Sequence, residues 1–129
     1  LLTIKNMVFS EKIEITNDMV KSYSILIGDK NPIHLDPEYA KKTIFEKPIA
    51  HGMLISSFFS KMISETYPGY GSIYLSQNIK FLKPCYIDKT INVVLTLINK
   101  DKNKYELSTQ IFDDNETLLV DGTALILKK

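Results

Sequence analysis

Alternating apolar and polar positions dominate the second half of the chain. Ile73, Leu75, Ile79 and Phe81 alternate with Tyr74, Ser76, Asn78 and Lys80, and Ile91, Val93, Leu95 and Leu97 recur at every second position after them. Beyond a polar turn from Asn99 to Lys104 come Tyr105, Leu107, Thr109 and Ile111, and beyond Asp113 to Glu116 come Leu118, Val120, Gly122, Ala124 and Ile126. A period of two marks half-buried strands, and such short turns imply antiparallel hairpins. The N-terminal stretch from Met7 to Ile15 alternates more loosely, through Phe9, Ile13 and Ile15, and reads as a further strand. Thr16 then suits a helix N-cap, with Asn17 and Asp18 at the positive end. Met19, Val20, Tyr23, Leu26 and Ile27 recur at helical spacing until Gly28 stops the helix.

Prolines at 32, 37 and 48 interrupt the next segment. Pro32 fixes its own φ and holds Asn31 extended, so Asp29 to His34 is expected to form a stiff loop, followed by a short turn around Pro37 to Lys42. From Ile49 to Tyr67 the apolar positions widen to Ile49, Ala50, Met53, Leu54, Ile55, Phe58, Phe59, Met62 and Ile63, which predicts a helix buried on most sides. Serines 56, 57, 60 and 64 could return their hydroxyls to carbonyls one turn back. One long apolar helix followed by a meander of strands predicts an α+β hot-dog architecture, a curled antiparallel sheet wrapped around a central helix.

The 129 residues are 44% hydrophobic and 24% charged, which suits a single domain over 1–129. Sixteen basic against fifteen acidic side chains leave a net charge of +1, too little to condense on nucleic acid or an anionic membrane. Every one of the sixteen cations is lysine, so a phosphorylated ligand would meet no guanidinium fork. A single cysteine, Cys85, and two histidines fall short of a structural zinc site, and a lone thiol fits a reducing, cytoplasmic setting. The longest nearly apolar stretch, Ile49 to Phe59, is too short to span a bilayer. The sequence starts at Leu1 with no basic-then-apolar leader after it.

Candidate chemistry concentrates between Gly28 and Pro37. Asp29 and His34, five residues apart around a proline, could present a carboxylate and an imidazole to one water, the pairing that acid–base work requires. Equally, Asp29 could cap the loop and His34 could be a satisfied polar residue at a turn. Gly52, where the buried helix begins, could expose free amides to a developing oxyanion, or simply permit tight packing. His51 reads as structural, since it precedes a helix expected to be covered, and Cys85, with no adjacent base, reads the same way. Phe58, Phe59 and Met62 look like core, part of which could line an acyl pocket.

The run from Gly28 to Pro37, then Phe45 to Leu54 with Ala50-His51-Gly52-Met53, then Gly71 to Leu75 and Phe81-Leu82-Lys83-Pro84, resembles the MaoC-like (R)-specific enoyl-CoA hydratases in order and spacing, from about residue 10 to the C-terminus. That resemblance implies a hot-dog homodimer with sites near the subunit interface, trans-2-enoyl-CoA as substrate, and neither metal nor cofactor. By position it makes Asp29 and His34 the catalytic pair that holds and activates water. It also makes Gly52 the backbone donor to the thioester oxygen, Asn31 a loop-shaping member of the same motif, and Ser60 a neighbour of the acyl pocket. Ile27 departs from the pattern, because many relatives carry a small hydroxyl residue two places before the aspartate. The acyl-carrier-protein dehydratases of fatty acid synthesis are the alternative enzyme class. Their usual His-Phe-Pro motif is absent, and the long helix offers Glu65 as its carboxylate. A hot-dog thioesterase and a non-catalytic acyl-CoA-binding module are the remaining alternatives.

Overall fold

The computed structural model describes residues 7–129, so the expectation about the Leu1 end lies outside the described residues. The chain runs β1 (Val8–Ile15), α1 (Asn17–Ile27), α2 (Pro32–Leu35), α3 (Pro37–Lys41), α4 (Gly52–Glu65), β2 (Ile73–Phe81), β3 (Lys89–Asp101), β4 (Lys104–Phe112) and β5 (Leu118–Leu127). The strands form one antiparallel sheet in the order β1-β3-β4-β5-β2, which curls around α4 as a hot-dog fold.

The alternation expected for the last three strands is present in the burial. Ile91, Val93, Leu95 and Leu97 of β3, Leu107 and Ile111 of β4, and Val120, Ala124 and Ile126 of β5 face one core with Leu54, Ile55, Phe59, Met62 and Ile63 of α4. Each such side chain contributes about 1.5–3 kcal/mol of burial before entropy is counted. A β-bulge shifts one position, because Ile111 pairs with Val120 while Phe112 pairs with Leu118. Leu119 is thereby the buried residue at the start of β5, in place of the expected Leu118. The buried Thr109 hydroxyl accepts a hydrogen bond from Gln77 Nε2 at 2.9 Å.

Four further expectations change. Asp29 to His34 is not wholly loop: Asn31 Oδ1 accepts the Ile33 amide at 3.2 Å and caps a single helical turn, α2, with Pro32 as its first residue, where a missing N–H costs nothing. On α1 the buried residues are Val20 and Ser24, while Leu26 and Ile27 are exposed. Helix α4 is buried along one side only, with Met53, Ser57 and Ser60 facing outward. Of its serines, Ser57 and Ser64 do bond back to Leu54 and Lys61 carbonyls, whereas the buried Ser56 hydroxyl has no partner among the described residues. Strand β2 lies at the sheet edge, paired only with β5, so Ile73, Leu75 and Phe81 remain exposed instead of facing core. No helix among the described residues is long and apolar enough to cross a membrane.

Candidate active site

Helix α1 ends where Gly28 turns to φ +82, a left-handed conformation that costs glycine nothing, and its N–H donates to the Ser24 carbonyl at 2.9 Å. The chain thereby turns Asp29 back toward the start of α4. Asp29 Oδ1 accepts the Asn31 amide at 3.2 Å, and Asn31 in turn caps α2, so Asn31 shapes the bend through its own side chain. Asp36 repeats the device for α3, accepting the Glu38 and Tyr39 amides. Two consecutive cap–proline pairs fix this whole segment.

His34, on α2, places Nδ1 2.7 Å from the Ile49 carbonyl oxygen. A carbonyl only accepts, so Nδ1 carries the hydrogen and the neutral ring keeps its lone pair on Nε2. The Ile49 amide donates to the Ile33 carbonyl at 3.2 Å, and the Ala50 amide to Cys85 at 2.8 Å, so the strand leading into α4 is held on both sides. Ligating atoms of Asp29, His34 and His51 all lie within 4.8 Å of one another. The Asp29 and His34 side chains named from sequence therefore do converge.

His51 lies beneath them. It is 2% exposed, and its ring stacks on His34 with centroids 3.8 Å apart and planes 28° from parallel, while the Tyr23 ring meets it edge-on at 4.9 Å. Its Nε2 is 3.0 Å from Ser24 Oγ and 3.2 Å from the Asp29 carbonyl oxygen. Burial is the largest influence on this imidazole and lowers its pKa; the hydrogen bond to the Asp29 carbonyl opposes that shift, and neighbouring His34 adds to it. Two imidazoles stacked face to face, with ring centroids 3.8 Å apart, keep their lone pairs in separate, near-parallel planes that do not meet at one ion, so the trio is an acid–base cluster instead of a preformed metal chelate. Sequence reasoning named His51, as a structural residue, and missed Ser24, its hydroxyl partner. The available signal was Ser24 itself, a lone hydroxyl four residues after Val20 on the buried stripe of α1.

Gly52 is the first residue of α4, whose N-terminus has no side-chain cap. The first helical amide returned to the preceding turn is that of Ile55, onto the His51 carbonyl at 3.2 Å. The opening amides thus lack intrahelical partners and carry the positive end of the helix. A cavity of about 270 Å³ adjoins Gly52, lined by Phe45, Ile49, Ile55, Phe81 and Cys85 among others, and the side chains of Asp29, His34 and His51 are not part of its lining. A larger cleft of about 530 Å³ lies between Lys12 and the Asp113–Glu116 turn and contains none of these groups. Ser60 is exposed on the outer side of α4 and lines neither space. Cys85 is buried, and that burial pushes its thiol up to about 11, which fits the structural role expected of it.

A curled sheet around one helix, with a carboxylate and an imidazole converging at that helix's N-terminus, defines a hot-dog domain equipped for acid–base chemistry. The chain belongs to the MaoC-like domain family, whose pattern matches residues 3–117. It is 41% identical over 109 residues to an (R)-specific enoyl-CoA hydratase of Aeromonas caviae, covering 83% of this chain and 81% of that one. It is 40% identical over 114 residues to a mitochondrial 3-hydroxyacyl-[acyl-carrier-protein] dehydratase of Arabidopsis thaliana, covering 84% and 68%. Among solved structures, the (R)-hydratase of A. caviae superposes with a TM-score of 0.92 at 33% identity over 99% of this chain and 98% of that one. The unliganded R-hydratase of Pseudomonas aeruginosa gives 0.91 at 33% identity, over 98% and 82%.

Proposed function

We propose that this protein is an (R)-specific enoyl-CoA hydratase, adding water reversibly and syn across the double bond of a trans-2-enoyl-CoA to give the (R)-3-hydroxyacyl-CoA. The observation that carries the reading is the convergence of Asp29 with a His34 whose Nδ1–H is committed to Ile49, leaving Nε2 for the reacting water. Conjugation makes C3 of the substrate electrophilic. As the water oxygen attacks C3, Asp29 takes one of its protons, while His34, protonated on Nε2, delivers a proton to C2. Transfer of the Asp29 proton to Nε2 resets the pair. Both groups stand on one bend, so both additions fall on one face of the alkene. Charge accumulating on the thioester oxygen is received by the free amides at Gly52. Asn31 keeps the bend in shape, whereas Ser60, exposed on the outer side of α4, meets the acyl chain only where a second copy of the chain covers that face.

No cofactor takes part, because the thioester supplies the only activation needed. We further infer a homodimer in which a second copy covers the apolar edge at Ile73 and Leu75, 56% and 45% exposed, and completes the wall around Ser60. A single buried, unpaired thiol suits the cytoplasm.

A carrier-protein thioester is the second reading, favoured by the similarity to the A. thaliana dehydratase. The test is turnover of crotonyl-CoA, followed by loss of enoyl absorbance and the chirality of the product, beside the matching carrier-protein thioester. Faster turnover of the CoA form, with (R) product, is expected. Release of free thiol would indicate a thioesterase, and binding without turnover a non-catalytic module.

A further inference from the structure

Resting on the hydratase reading, one buried group near the reacting pair has so far been given no task. His51 Nε2 faces two oxygens, the Ser24 hydroxyl at 3.0 Å and the Asp29 carbonyl at 3.2 Å, and the carbonyl can only accept. The hydrogen of the ring must therefore sit on Nε2. The other nitrogen, Nδ1, is buried and has no partner among the described residues. A lone pair tolerates that position far better than an N–H would, because a buried donor left without an acceptor loses its hydration with no return. The opposite tautomer would also turn the Nε2 lone pair onto the lone pairs of the Asp29 oxygen.

The groups that face His51 are Tyr23 and Ser24 from α1, Asp29 through its main-chain carbonyl and, within 4.8 Å, its carboxylate, and His34 from α2. The Asp29 carboxylate favours a proton on this ring but is not hydrogen-bonded to it, and burial outweighs that attraction; a second proton would be a buried cation lying face to face with the imidazole that must itself become charged.

We propose that His51 is a positioning residue for the catalytic pair. As a neutral Nε2–H imidazole, steadied by Ser24, it holds the main chain of Asp29 through its carbonyl and gives His34 an uncharged surface to stack on, so that His34 alone exchanges the proton. Ser24 supplies the hydroxyl in this arrangement from the buried side of α1, one turn before Ile27. Ile27 itself is half exposed.

The chain has only two histidines, which makes the state of each readable by ¹⁵N and ¹³C magnetic resonance of the labelled protein. His51 is expected to show the neutral Nε2–H pattern at neutral pH, and His34 the Nδ1–H pattern whenever it is neutral. In kinetics with crotonyl-CoA, His51→Ala is expected to lower kcat about 100-fold, the scale of a small misplacement of reacting groups, with KM within about threefold. His51→Gln, whose amide N–H can still reach the Asp29 carbonyl, should recover about tenfold of that loss. It should also move the His34 ring resonances away from their wild-type positions, since the stacked imidazole is gone. A proton on His51 Nδ1, joint titration of the two rings, or wild-type kcat in His51→Ala would overturn the proposal. If His51→Ala does not fold, the wild-type spectra and His51→Gln decide the matter. A wild-type protein inert toward enoyl thioesters would instead remove the hydratase reading. The tautomer and the His34 resonances in His51→Gln would still decide whether His51 positions the pair.

Discussion

Phe81, at the end of the edge strand β2, lies directly against the α-carbon of Gly52, the first residue of α4: a Cβ on Gly52 would come within 2.5 Å of Phe81 Cε1. The absent side chain thus lets an aromatic ring wall the space beside the amides expected to receive the thioester oxygen.

Gly52→Ala should therefore displace the Phe81 ring and disturb the oxyanion position. Loss of an oxyanion donor typically costs about 100- to 1,000-fold in kcat. Because Phe81 is 53% exposed and its ring end can move, stability should change little. Combining Gly52→Ala with Phe81→Ala should return part of the activity. Equal losses in the single and double variants would show that the ring is not the obstacle.

Removing either reacting group, as in Asp29→Asn or His34→Ala, is expected to lower kcat by about 100- to 10,000-fold. Thermal stability should hold, because Asp29 is exposed and His34 only partly buried. Initial rates with crotonyl-CoA and a melting curve check both halves. Normal turnover in Asp29→Asn would eliminate the assignment.

Stability should fall in mild acid. Burial holds the folded pKa of His51 below its ordinary value near 6.5, so between the two values the unfolded chain binds more protons than the folded one. The stabilisation from a neutral His51 is complete above about pH 6.5 and is lost as pH drops below it toward the folded value. Denaturant midpoints measured from pH 8 to 5 should decline more steeply for wild type than for His51→Gln, which has no such proton to take up.

Cys85 is 4% exposed and its thiol is raised to about 11, so little thiolate is available to a reagent at pH 8. An aromatic disulfide reagent should leave the native protein unmodified and react with one equivalent after denaturation. Rapid native-state reaction, with the enzyme still active, would contradict the burial.

Gly122 in β5 sits against the Asn78 carbonyl oxygen of β2, and a Cβ there would overlap that backbone atom. Backbone cannot swing aside as the Phe81 ring can. Gly122→Ala should cost about 1–3 kcal/mol, the usual penalty of overpacking, read from chemical denaturation.

Much of this was written into local sequence. Thr16, Gly28, Asn31-Pro32 and Asp36-Pro37 start and stop short elements through contacts of two to four residues, and the period-two runs of β3 and β4 set which side chains turn inward. The single helical turn α2 escaped notice because proline at 32 breaks a helix from within yet begins one readily, and only the cap from Asn31 decides which applies. Leu119 escaped because a bulge adds one residue to a strand and reverses the alternation beyond it.

The order of Asp29, Asn31, Pro32 and His34 fixed the candidate pair and the bend that carries it, since neighbours in the chain constrain each other whatever surrounds them. The tertiary structure alone decided that the Ile49 carbonyl selects the His34 tautomer, that His51 stacks beneath that ring while bound to Ser24 and Asp29, and that Phe81 abuts Gly52. Those contacts join residues 15 to 29 positions apart. No periodicity encodes them, because they arise where separately formed elements happen to meet on the packed fold.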